Sequence, residues 1–158
     1  MAILTDDMKR VVREQVLGFV ATVCSDGTPN LSPKGTLTVW DDDHLVFADL
    51  GSPGTMANLR ENPAVEVNVV DPITRTGYRF KGRGSAHSDG PAFDRVLAFY
   101  ERDRQLAPTR VRGVAMIAVE WAAPLVSPAY AAGRTRAEVV DRSWRRLERV
   151  YGIRVAGE

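Results

Sequence analysis

Apolar residues along this chain recur with a period of two over most of its length and with helical spacing only in short stretches. Alternation of that kind sends successive side chains to opposite faces of a strand, whereas spacings of three and four gather them on one side of a helix. "LGFVATVCSDGTPNLSP" reads as a strand, an Asp26-Gly27 turn and a return strand, because glycine accepts the left-handed backbone that such a turn requires. "GTLTVWDDDHLVFAD" repeats the arrangement with three aspartates at the turn. "AVEVNVVD" alternates strictly, and Pro72 to Gly77 turn the chain into "YRFKGRGSAHS". A further strand, "VAMIAVEWAAPLV", comes after an interruption.

The interruption and both ends are helical. Thr5 with Asp6 and Asp7 supplies a cap and first-turn negative charge for a helix through about Gln15. "TMANLREN" reads as a short helix after the loop "LGSPGT". In "DGPAFDRVLAFYERD", Phe93, Val96, Leu97 and Tyr100 fall at helical spacing, and Pro91 suits the first helical position. "TRAEVVDRSWRRLERVYG" predicts a closing helix carrying Val139, Leu147 and Val150 among many charges.

Strands joined mostly by tight turns predict a mainly β fold with short α-helices, a six-stranded antiparallel barrel with the helices at its periphery. Strands do not alternate with long helices, which argues against a doubly wound dinucleotide-binding fold. No repeat or linker divides the chain, so one domain is expected over residues 1–158. Its core would span about 14–130, and the carboxyl-terminal helix about 135–151.

Composition narrows the partners. Hydrophobic residues make up 44% and charged residues 26% of 158, ordinary values for a globular chain. Twenty-one Lys and Arg against 20 Asp and Glu leave a net charge of +1, so no global field points to nucleic acid or to a membrane. Cys24 is the only cysteine, which excludes an intramolecular disulfide and a cysteine-based zinc site. It is expected to act as a small buried hydrophobe. The amino-terminal charges do not suit a signal peptide, and no run approaches the ~18 apolar residues of a membrane span; a cytoplasmic protein is expected.

Three stretches carry candidate chemistry. In "LGSPGTMANL", a helix start would aim unpaired N–H groups and partial positive charge at an anion, with Gly51 and Gly54 allowing close approach and Ser52 and Thr55 adding hydroxyls. The same residues also make an ordinary turn and cap. In "NLSPKGT", Lys34 lies among strand-forming residues, where it either reaches solvent along its stem or meets an anion. A short hairpin could bring it to the loop at 51–55. In "GYRFKGRG", Arg79, Lys81 and Arg83 share one face of a strand, lining a basic groove or meeting water.

Other features point nowhere in particular. His44 and His87 have no metal-ligand spacing, the aspartates at 41–43 suit a solvated turn, and neither a nucleophile elbow nor a P-loop occurs. The arginine-rich "RSWRRLERVYGIR" reads as an exposed helix face with i to i+4 ion pairs. No metal is expected, and no catalytic residue is assigned.

Taken in order, "GFVATVCSDGTPNLSPKG", "HLVFADLGSPGTMANLRENPAVEVNVVD" and "GYRFKGRGSAHSDGPAF" resemble the FMN-binding split-barrel proteins, the pyridoxamine 5′-phosphate oxidase-like family. The resemblance implies a homodimer with FMN in clefts between subunits. It places Lys34, within the segment Ser32, Pro33, Gly35 and Thr36, at the flavin phosphate. Phe47, Ala48 and Asp49 would lie beside the ring system. Ser52, Pro53, Gly54 and Thr55 would form the phosphate loop, with Asn58 on the following helix. Gly77, Tyr78 and Arg79 would reach the flavin from the partner subunit.

It further implies a flavoprotein oxidoreductase acting on an unidentified small molecule by hydride transfer at flavin N5. The alternatives are a non-catalytic flavin-binding, electron-transfer or sensing module, or a split barrel holding F420 or haem. "PGT" stands where the oxidase has two cations in its phosphate loop, and the carboxyl-terminal Arg-x-His pattern for pyridoxamine has no counterpart, which argues against vitamin B6 oxidation.

Overall fold

The computed structural model describes residues 2–153. Helix α1 (Asp6–Gln15) precedes strands β1 (Gly18–Val23), β2 (Pro29–Lys34), β3 (Thr38–Val39) and β4 (His44–Asp49). Helix α2 (Pro53–Glu61), strands β5 (Ala64–Asp71) and β6 (Thr76–His87), and helix α3 (Gly90–Arg104) follow. A 3-10 turn (Pro108–Arg110) leads into β7 (Gly113–Val126), and α4 (Pro128–Ala131) and α5 (Arg136–Tyr151) close the fold. The Thr5 hydroxyl accepts from the Met8 N–H, as the predicted cap requires. Gly27 takes a φ of 82° in the first hairpin turn, where the Asp26 carboxylate also accepts from the Thr28 N–H.

All strands belong to one antiparallel sheet in the order β2-β1-β5-β6-β7-β4-β3. Strands β2 and β3 sit at opposite edges, yet only residues 35–37 join them. A flat sheet cannot satisfy both conditions, so the sheet curls until its edges approach: a barrel split along the β2/β3 seam. The strands number seven rather than the expected six. Each segment read as a strand forms one, the first limb of the second hairpin being a two-residue edge strand, so the barrel takes in one strand more than it was assigned.

Two apolar clusters hold the sheet. The interior one joins Val20, Val67, Phe80, Leu45, Phe47 and Ile117, and it takes in Leu4, Val11 and Val12 from α1 and the segment before it. Each such side chain contributes about 1.5–3 kcal/mol when fully buried. The second lies under α3, where Val96 and Tyr100 meet Val46, Ala48 and Val114, with Phe93 and Leu97 packed alongside. Strand β4 is therefore covered on both faces: Leu45 and Phe47 face the interior, and Val46 and Ala48 face α3. The Tyr100 hydroxyl donates to the Thr36 carbonyl, and burial raises its pKa strongly.

Candidate functional site

Alternation along β2 decides the site. Asn30, Ser32 and Lys34 point to the inner side of the curled sheet, while Leu31 and Pro33 point out. Lys34 is only 3% exposed, so of its two open readings the solvent-reaching one is excluded. Its ammonium donates to the hydroxyls of Ser32 (2.5 Å), Ser52 (2.8 Å) and Thr55 (3.4 Å), and it lies 5.4 Å from the centre of the Phe47 ring. Among the described residues no carboxylate lies within ion-pairing distance of it. Burial pushes the Lys34 pKa down, and the more distant negative charge of Asp49 offsets that in part. The lysine's hydrogen bonds are met; its charge is not.

The loop after β4 is shaped by Asp49. Its carboxylate accepts from the N–H groups of Gly51 (2.9 Å) and Ser52 (2.5 Å), folding the chain back toward α2. Ser52 is the N-cap of α2, yet its hydroxyl makes no cap hydrogen bond and turns to Lys34 instead. Pro53 has no N–H, and the first intrahelical bond runs from Met56 to the Ser52 carbonyl. The N–H groups of Gly54 and Thr55 are thus left at the open end of the helix, beside the lysine. A Cβ at Gly51 or Gly54 would meet nothing within 4 Å, so the loop borders open space.

A polar bridge missing from the sequence reading supports this cluster. Asn30 donates to Thr22 (3.1 Å) and Thr55 (3.3 Å), and Asn58 donates to the same Thr22 hydroxyl (3.0 Å). Asn58 also approaches the sulfur of the half-buried Cys24 at 3.6 Å. The signal for Asn30 was its two-residue spacing from Ser32 and Lys34; Thr22 announced itself only through the register that pairs it with Asn30.

Of the remaining expected residues, Thr36 clamps Ala48, its hydroxyl donating to the Ala48 carbonyl (2.8 Å) and accepting from its N–H (3.1 Å). Gly35 lies in the turn at the seam, and Pro33 on the outer face opposite Phe19. Gly77, Tyr78 and Arg79 do not join the Lys34 cluster within one protomer; β6 lies three places along the sheet from β2. The Tyr78 hydroxyl donates to Asp7 of α1, and Arg79 pairs with Glu66 on the outer face. Gly77 is buried against β5, where a Cβ would come 2.0 Å from the Val69 carbonyl oxygen.

No grouping of three or more potential metal ligands occurs among the described residues. No helix among them is long and apolar enough to cross a membrane. The end of the stretch that lacks the Arg-x-His pattern lies beyond residue 153, outside the described residues.

The site combines a buried cation, clustered hydroxyls and an uncapped helix start, a donor set that suits an anion. An uncharacterized protein of Methanocaldococcus jannaschii is 27% identical over 89 residues, which cover 55% of this chain and 58% of that relative. The matched part therefore spans little more than half of the curated relative's length. HupZ of Group A Streptococcus matches with a TM-score of 0.69 and 28% identity, over 78% of this chain and 94% of that one. An FMN-binding protein from Syntrophomonas wolfei (TM-score 0.63, 18% identity, 78% and 87% covered) shares the fold. So does an F420 reductase (TM-score 0.58, 21% identity, 75% and 98% covered). The family model for pyridoxamine 5′-phosphate oxidase matches residues 4–123. With that match over most of its length and a sheet curled into a split barrel, the chain belongs to the pyridoxamine 5′-phosphate oxidase-like family.

Proposed function

We propose that the chain binds FMN and works as a flavin-dependent oxidoreductase on a small molecule. One observation carries the reading: Ser52 gives up capping its own helix to meet a buried lysine whose charge has no close partner. A turn and cap alone would leave the Ser52 hydroxyl on α2 and Lys34 in solvent. Here the Lys34 ammonium, the hydroxyls of Ser32, Ser52 and Thr55, and the Gly54 and Thr55 N–H groups would hold the FMN phosphate. The backbone of Phe47, Ala48 and Asp49 would run beside the ring, since the Phe47 and Ala48 side chains are buried on opposite faces of β4, and the Thr36 clamp would hold it there. FMN, when bound, supplies hydride transfer at its N5; this chain's residues bind, orient and shield it.

The F420 reductase neighbour gives a second reading, since a phosphate-bearing deazaflavin would use the same cation and hydroxyls. One experiment addresses both. The absorption spectrum of the purified protein, with and without added FMN or F420, should show flavin bands or their appearance on titration with FMN. A colourless protein that takes up neither cofactor sinks both readings. Lys34→Ala should weaken FMN binding by about 1.5–3 kcal/mol, the scale of a charge-assisted hydrogen bond. Unchanged affinity would remove Lys34 from the site.

A further inference from the structure

Helices α4 and α5 lie beyond the family match, which ends at residue 123. Together with the β5–β6 turn they enclose a cavity of about 520 Å³, within the usual size of a small-molecule site. It shares no residue with the Lys34 cluster. Its apolar lining includes Ile73, Val139 and Leu147, and its polar lining is dominated by arginine.

Five of those arginines, Arg75, Arg134, Arg142, Arg146 and Arg149, form no ion pair with a described carboxylate. The acidic residues of α5 offset them only in part: beyond the hydrogen bonds from Thr135, the charge of Arg134 reaches Glu138 and helps to lower its pKa. Glu138 closes the capping box with Thr135, Asp141 holds Arg145 at 3.0 Å, and Glu148 is not part of the lining. The reading of this helix as a face of i to i+4 pairs therefore holds for Asp141–Arg145, which also borders the cavity, and not for Arg142, Arg146 and Arg149. These guanidinium groups are exposed and hydrated, yet gathered round one concavity they set up a local positive potential that attracts a multiply charged anion.

The far wall is fixed before any ligand arrives. The Asp71 carboxylate accepts from the N–H groups of Ile73 (2.8 Å) and Thr74 (3.3 Å), and the Tyr130 hydroxyl of α4 donates to the Thr74 carbonyl (2.7 Å). The Ser127 N–H donates to the carbonyl of Arg75, a non-glycine residue held at a φ of 56°. That turn is thus tied to the α4 segment through the carbonyls of Thr74 and of Arg75 itself.

We propose that this cavity is a second binding site, for a small organic phosphate with two or more negative charges and an apolar body. Guanidinium forks match phosphate oxygens in pairs, while Ile73, Val139 and Leu147 give the body an apolar floor. A concave site of this size does not suit a nucleic-acid duplex, which needs an extended basic stripe, and the net charge of +1 supplies none.

Calorimetric titration with ADP, pyrophosphate and adenosine tests it, on the wild-type chain and on Lys34→Ala, so that anion binding at the flavin site cannot be mistaken for binding here. ADP should bind both proteins saturably and alike, pyrophosphate about tenfold more weakly, and adenosine not measurably. Arg142→Gln with Arg146→Gln, both exposed helix positions, should weaken ADP by at least about tenfold with the circular dichroism unchanged. Arg102→Gln, on α3 and paired with Asp103, should leave it unaltered. The proposal is overturned by any of four results: no saturable binding of ADP; binding lost in Lys34→Ala; equal weakening by Arg102→Gln; or duplex DNA bound more tightly than ADP.

Discussion

Lys34 is an ammonium held out of water by three hydroxyls, and its pKa follows from that position. Burial lowers it from the ordinary 10.5, and Asp49 opposes the shift. The sign of two pH effects is then set. Anion affinity needs the charged form, so it is complete below the lowered pKa and is lost as pH rises through it, before an exposed lysine would titrate. Stability moves the other way in the same window, because the unfolded chain still binds a proton that the folded one has released. FMN affinity measured against pH should therefore bend downward below 10.5 in the wild type. Lys34→Ala should show weak binding with no such bend, and a bend shared by both proteins would assign it to another group. From sequence, Lys34 could equally have reached solvent; what decided it was the inward direction of β2, which depends on pairing with β1 and not on local composition.

At the scale of elements, the hairpins, the helix periodicities and most strand limits were legible because each rests on local pattern: Asp26-Gly27 at a turn, alternation in β5, Val96 and Tyr100 on one side of α3. Three features were not. The gap at residues 35–37 reads as a simple join between two hairpins, and that it carries the chain across the barrel seam to the opposite edge follows only from the sheet order. Helix α4 is a single short turn set by the Ser127 cap and Pro128. Ser52 reads as a cap by every local rule, and only the presence of Lys34 from another element redirects its hydroxyl.

Close strand crossing gives Gly77 and Gly82 a role that alternation alone hides: a Cβ would lie 2.0 Å from the Val69 oxygen in one case and 1.9 Å from the Ala118 oxygen in the other, beside the Lys81/Gly82 bulge. Gly77→Ala and Gly82→Ala should each lower stability by about 1–3 kcal/mol in urea unfolding, with or without FMN. If Gly77→Ala leaves stability intact and weakens only flavin binding, its place is at the cofactor and not in the packing of β5 on β6.

For the whole molecule, the outer face of the sheet is the open question that chemistry can answer. The register puts Leu31 beside Ala21, Phe19 beside Asn68, and Lys81 between Glu66 and Trp121, so these side chains stand on one surface. Phe19, Leu31, Val70 and Trp121 are 41%, 63%, 40% and 46% exposed there, a broad apolar surface for a lone protomer. A second copy would cover it by two-fold symmetry, and the Arg79–Glu66 pair within it would add polar contacts of both signs. The resemblance places Arg79 at the partner's flavin, and from this face, where it pairs with Glu66, it would be within reach of a second copy. Sedimentation of the wild type should then give a dimer. Leu31→Glu with Trp121→Glu should give a folded monomer whose FMN affinity falls by at least about tenfold, although neither residue touches the Lys34 cluster. If the wild type sediments as a monomer and still binds flavin tightly, one protomer is sufficient for the site, and Tyr78 and Arg79 act only where they now lie, against Asp7 and Glu66.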